Sequence, residues 1–201
     1  MTATQRAELV TVTDTGQALV EVPNSAELSP GKPIIPPFNP YANSLNFLLG
    51  AYAMPDLAQP SYVSSIPSLT TNSSSLSLAS KLLPIKAGQS AVIRTLLYPN
   101  ATQMVPPYNI TVREFTKASS HLTNNLGKCG IKSEVVLLAN TTLGAENRMT
   151  SNVLSADANS LSYARTEPEI LRIVYGTGNE NLPGGFFPKG ANGKIARSLL
   201  L

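Results

Sequence analysis

Charge is what this chain has least of. Only 13% of its residues are Asp, Glu, Lys or Arg, about half the usual share for soluble proteins. A surface so poor in charge favours association over life as a lone enzyme. Tryptophan is absent, which weakens any reading that depends on stacking sugars against aromatic faces. The single cysteine, Cys129, excludes an internal disulfide framework. The single histidine, His121, leaves no second imidazole for a metal site or a relay. No run of about eighteen apolar residues occurs, so no transmembrane helix is expected. The start, MTATQRAELVTVTDTG, has no cationic segment followed by an apolar one, so no signal peptide is expected.

What is present is an apolar, proline-broken middle. From Pro33 to Ser80 the only charged residue is Asp56, while Pro, Ser, Asn and Leu accumulate. Extended low-charge chain is best accommodated against a neighbour that covers its side chains and pairs its backbone. Residues 29–40, SPGKPIIPPFNP, are too rich in proline for helix or central strand. Residues 41–54 place Leu45, Leu48, Leu49 and Tyr52 at helical spacing, and Pro55 is expected to end that short helix. A Ser-rich connector follows to residue 75.

Strand signals dominate elsewhere. Residues 9–13 and 18–22 alternate around Asp14-Thr15-Gly16 and predict a hairpin. Leu76 to Leu83, AVIRTLLY at 91–98, YNITVREF at 108–115, SEVVLLA at 133–139, Leu161 to Tyr163 and EILRIVY at 169–175 predict further strands. Seven or eight strands with long punctuated connections suit a mainly β fold, an antiparallel β-sandwich or jelly roll with an extended Pro-rich N-terminal arm. The expected organisation is a hairpin and arm over 1–75, a β-rich body over 76–176 and a loop-like tail over 177–201.

No catalytic signature emerges. Ser119 and Ser120 beside His121 carry no weight, because triads assemble in space rather than by adjacency. Cys129 lies between Lys128 and Gly130; neighbouring cations can activate a thiol, but a lone cysteine is more often a small buried hydrophobe. Glu167 and Glu169 flank Pro168 and share a face if that stretch is a strand, which fits a solvated edge near Arg165 and Arg172 better than a glycosidase pair. Gly176-Thr177-Gly178 and Gly184-Gly185 lack the Gly-Lys-Ser/Thr that a phosphate loop needs. No catalytic residue, cofactor or metal ligand is expected.

The positive charge concentrates between residues 81 and 132, on Lys81, Lys86, Arg94, Arg113, Lys117, Lys128 and Lys132. Without an Arg-rich cluster, any nucleic-acid contact through them is expected to be weak and non-specific. In composition the chain resembles coat proteins of small viruses and structural proteins of phages. That likeness implies a virion subunit that self-assembles around a genome. A decoration, fibre or adhesin-like module is the alternative, and a small hydrolase a more distant one.

Overall fold

The computed structural model describes residues 36, 38–130, 132, 153–157 and 159–200. Over them the chain is helical: 59% of these residues lie in helices and 4% in strands. The β-sandwich expectation is therefore wrong. Helix α1 spans Ser44–Ser65, and α2 spans Ser73–Leu97 after a short 3-10 turn at Ile66–Leu69. A two-stranded hairpin, β1 at Met104–Val105 and β2 at Ile110–Thr111, leads into α3 at Val112–Gly127. Later come α4 at Glu167–Val174 and α5 at Lys194–Leu199.

The charge-poor stretch is thus mostly helix rather than extended arm. Asn43 starts α1 by accepting the Asn46 N–H at 2.8 Å, and Asn72 starts α2 by accepting that of Ser75 at 3.0 Å. Pro55 lies inside α1, as does Pro60, so Pro55 does not end the helix. Each proline removes the N–H that would bond the carbonyl four residues earlier. Tertiary burial outweighs that loss, since Pro55 and Pro60 are both buried. The strand-like patterns fail in the same way further on: AVIRTLLY lies in α2 and its 3-10 extension, and EILRIVY in α4 and its cap. Of YNITVREF, only Ile110 and Thr111 are strand, paired antiparallel with Val105 and Met104. Residues 161–163 have no strand assignment. The expected strands at 9–22 and 133–139 lie outside the described residues.

Short apolar runs of this kind satisfy strand and buried-helix patterns equally. Here the caps decide. Thr111 and Glu114 form a reciprocal box: the Thr111 N–H donates to Glu114 Oε2 at 2.7 Å, and the Glu114 N–H to Thr111 Oγ1 at 3.2 Å. Helix α3 then turns Val112, Phe115 and Ala118 inward. The boundary expected between residues 75 and 76 falls in the first turn of α2.

The main apolar core joins α1, the end of α2, the hairpin and the start of α3 through Leu49, Tyr52, Leu97, Val105, Val112 and Phe115. Phe38 closes it, 4.9 Å from Phe115 between ring centroids. A smaller core sets Leu171 and Tyr175 against Ala196. The segment after α4 turns back on Tyr175 at Gly185, where φ is +47° and a Cβ would stand 2.7 Å from the Val174 carbonyl oxygen.

Candidate functional site

Asp56, the lone charge of the apolar stretch, lies on α1 and finds its partner on α2. Arg94 Nη2 donates to Asp56 Oδ2 at 2.9 Å, and Ser90 Oγ donates to Asp56 Oδ1 at 3.0 Å. The Arg94 side chain is fully buried, with Asp56 only 9% exposed. Its guanidinium carbon lies 5.1 Å from the centre of the Tyr52 ring, a cation–π arrangement strengthened by desolvation. Burial pushes the Tyr52 phenol well above its ordinary range; the Arg94 charge opposes this, while Asp56 reinforces it. Tyr52 stays neutral. These four side chains form the polar centre of the α1–α2 interface.

A second buried cluster fastens α4 to α1 and α3. Arg165 is fully buried; its backbone N–H donates to the Pro60 carbonyl at 3.1 Å and its Nη2 to Asn124 Oδ1 at 2.7 Å. Glu169, in the first turn of α4, accepts from the Thr166 N–H at 2.8 Å and from Lys132 Nζ at 3.0 Å. Burial pushes the Glu169 carboxyl up, but the bonds from Lys132 and Thr166 outweigh it and hold the group below the usual carboxylate range. Burial lowers the pKa of Arg165, with Glu169 opposing. Between the two clusters is a cleft lined by Asp56, Gln59, Pro60, Lys132, Ser155 and Tyr163, with room for about one water molecule.

The seven expected cationic residues are spread over α2, α3 and the segment that follows α3. Arg94 is buried in its ion pair and Lys132 is held by Glu169 at 2.8 Å. Lys81 and Lys86 belong to α2, Arg113 and Lys117 to α3, and Lys128 caps α3 in the left-handed conformation. Cys129 is exposed rather than buried, with its sulfur 3.9 Å from Arg172 Nη1. His121 is exposed on α3. Glu167 and Glu169 are helical, and only Glu169 is buried.

Sequence reasoning missed both ion-paired clusters. The signals were present: a solitary Asp56 within forty-eight residues needs a partner if that stretch is buried. Thr111-x-x-Glu114 and Thr166-x-x-Glu169 are capping-box spellings that mark helix starts.

Residues 4–99 match the ferritin-like domain. The chain is also 48% identical over 178 residues, 89% of its length, to the ferritin-like catalase Nec2 of Nesocodon mauritianus, covering 57% of that protein. It is 43% identical over 164 residues, 82% of its length, to the desiccation-related protein PCC13-62 of Craterostigma plantagineum, covering 52% of it. It thus spans a little over half of each of these relatives. No solved structure matches.

These findings replace the virion reading. Its capsid function, self-assembling shell, genome contact and virion location are overturned, since the chain matches a ferritin-like domain and is similar to a ferritin-like catalase and a desiccation-related protein. Low charge reflects helices built from Ser, Asn, Pro and Leu, not a shell interface. Among the described residues no helix is long and apolar enough to cross a membrane.

Ferritin-like di-metal proteins take a Glu from each of two helices and a Glu-x-x-His pair from each of the other two. The described residues of the matched region do not fit that set. Helices α1 and α2 contain neither Glu nor His. The chain's only histidine, His121, follows Ala118 at the position where the motif needs Glu, and lies outside the matched region. Among the described residues no three His, Cys, Asp or Glu side chains come together. Instead of a carboxylate cluster, the α1–α2 pair holds Arg94 bound to the one acid of those helices.

Proposed function

We propose that this chain is a non-enzymatic, ferritin-like structural protein whose helix pair is closed by an internal cation, Arg94, in place of a metal centre. One observation carries the reading: Asp56, the only carboxylate of α1 and α2, is already neutralised by Arg94 at 2.9 Å and bonded by Ser90 at 3.0 Å. A carboxylate so committed is a poor metal ligand, since ligation would leave the buried guanidinium without its counter-charge. The desiccation-related relative is the guide to role under this reading: a helical protein acting through its fold and surface.

Peroxide disproportionation is the second reading, favoured by the 48% identity to a protein named as a catalase. The two separate in a single assay. Purified chain, produced with Mn²⁺ and Fe²⁺ supplied, is mixed with hydrogen peroxide under an oxygen electrode. The proposal expects oxygen release no faster than the buffer control. Turnover that scales with protein and disappears after heat denaturation would establish the catalase reading instead.

A further inference from the structure

The chain contains a single Asn-Gly pair, Asn192-Gly193, and the fold places it at a junction fixed on both sides. On one side the Ala191 N–H donates to the Tyr175 hydroxyl at 3.1 Å. On the other, Gly193 is the N-cap of α5, whose Ala196 packs with Leu171 and Tyr175 in the smaller core. Arg197 grips the pair itself. Its backbone N–H donates to the Gly193 carbonyl at 2.9 Å, and its Nη2 donates to the Asn192 carbonyl at 3.1 Å. Among the described residues, neither the Asn192 carboxamide nor the Gly193 N–H has a hydrogen-bond partner.

That arrangement bears on one reaction. The Gly193 nitrogen and Asn192 Cγ belong to neighbouring residues and close a small ring when they join, so the step is intramolecular and needs no partner. What restrains an amide nitrogen is its poor acidity, since its lone pair is delocalised into its own carbonyl. Deprotonation moves negative charge onto that carbonyl oxygen, and the carbonyl concerned is the one that Arg197 Nη2 holds. A guanidinium cation aimed at the developing oxyanion stabilises it. Gly193 also has no Cβ to crowd the attacking nitrogen.

We propose that Asn192-Gly193 is a self-modification site, at which the folded chain uses Arg197 to promote its own deamidation. Hydroxide takes the Gly193 amide proton, and the nitrogen bonds Asn192 Cγ. The Cγ–Nδ2 bond breaks, and Nδ2 takes a proton from water and leaves as ammonia. Water then opens the succinimide. Cleavage at Cγ leaves aspartate, and cleavage at the main-chain carbonyl leaves isoaspartate. One water is consumed and one ammonia released, with nothing oxidised or reduced. Isoaspartate lengthens the main chain by one methylene between Ala191, tied to Tyr175, and α5. This stands apart from the question of metal, since no residue of α1 or α2 takes part.

The test incubates the full chain at neutral and mildly alkaline pH, cleaves it after Glu180 and follows the tail by mass spectrometry, with isoaspartyl methyltransferase counting the isoaspartate. Conversion should occur at Asn192, rise with pH, and run faster in the folded chain than in the same chain held in urea. Arg197→Met should slow it about ten-fold in the folded chain, the worth of one charge-assisted hydrogen bond, and change nothing in urea. Gly193→Ala should all but stop it. The fold accommodates that alanine, since φ is −80° and nothing lies within 4 Å of the added Cβ. Circular dichroism checks that each variant keeps its helices. The proposal is overturned if Asn192 stays intact, if urea speeds its conversion, or if Arg197→Met reacts like the unsubstituted chain. It is equally overturned if Arg197→Met slows the folded and unfolded chains alike.

Discussion

Arg94 and Asp56 are thirty-eight residues apart and meet at 2.9 Å inside the α1–α2 interface, the arginine with no exposure at all. Removing one partner strands the other. Asp56→Asn should destabilise the fold by about 3–5 kcal/mol, because the buried guanidinium keeps its charge and loses its counter-ion. The double variant Asp56→Leu/Arg94→Met should recover most of that loss, since an apolar pair of similar volume carries no desolvation cost. Urea unfolding followed by circular dichroism measures both. Additive losses in the double variant would mean that the pair is not a coupled unit.

Two glycines predict opposite signs. A Cβ at Gly127 would stand 2.6 Å from Arg165 Nη1, and Arg165 is held by Asn124 on the other side. Gly127→Ala should therefore cost about 1–3 kcal/mol through overpacking, despite the better helix propensity of alanine. At Gly88, inside α2, nothing lies within 4 Å. Gly88→Ala should stabilise by up to about 1 kcal/mol. The same unfolding measurement reports both, and a stabilising Gly127→Ala would show that Arg165 has room to withdraw.

The Arg172–Glu180 pair predicts a pH effect. Arg172 grips both Glu180 oxygens, at 2.7 and 2.9 Å, and its hydrogen bonds hold the Glu180 carboxyl down at about 2. The folded value lies below the unfolded one, about 4.3. Its contribution to stability is therefore complete above that unfolded value, and is lost as pH falls through the folded one. Carboxyl titration by NMR should show Glu180 returning to the ordinary range in Arg172→Met. An unchanged Glu180 titration would remove the arginine as its cause.

How much of this was legible in the sequence depends on which residues are considered. The helix around Leu45, Leu48, Leu49 and Tyr52 showed in its spacing, but its continuation to Ser65 did not, because Pro55 and Pro60 read as breaks. Tertiary packing overrode that local rule. AVIRTLLY and EILRIVY are rich in β-branched residues and too short for periodicity to separate strand from buried helix. The capping box at Thr166 would have marked EILRIVY as helix, as the box at Thr111 would have marked the end of YNITVREF. The ion pair was not legible, because Asp56 and Arg94 become neighbours only when α1 and α2 fold back on each other.

Metal stoichiometry tests the central claim most directly. The full chain, expressed with Mn²⁺ and Fe²⁺ in excess and purified without chelator, is analysed by inductively coupled plasma mass spectrometry. An interior closed by Arg94 and Asp56 predicts far less than one metal ion per chain, with a melting temperature unmoved by EDTA. About two ions per chain, lost with EDTA together with thermal stability, would contradict it.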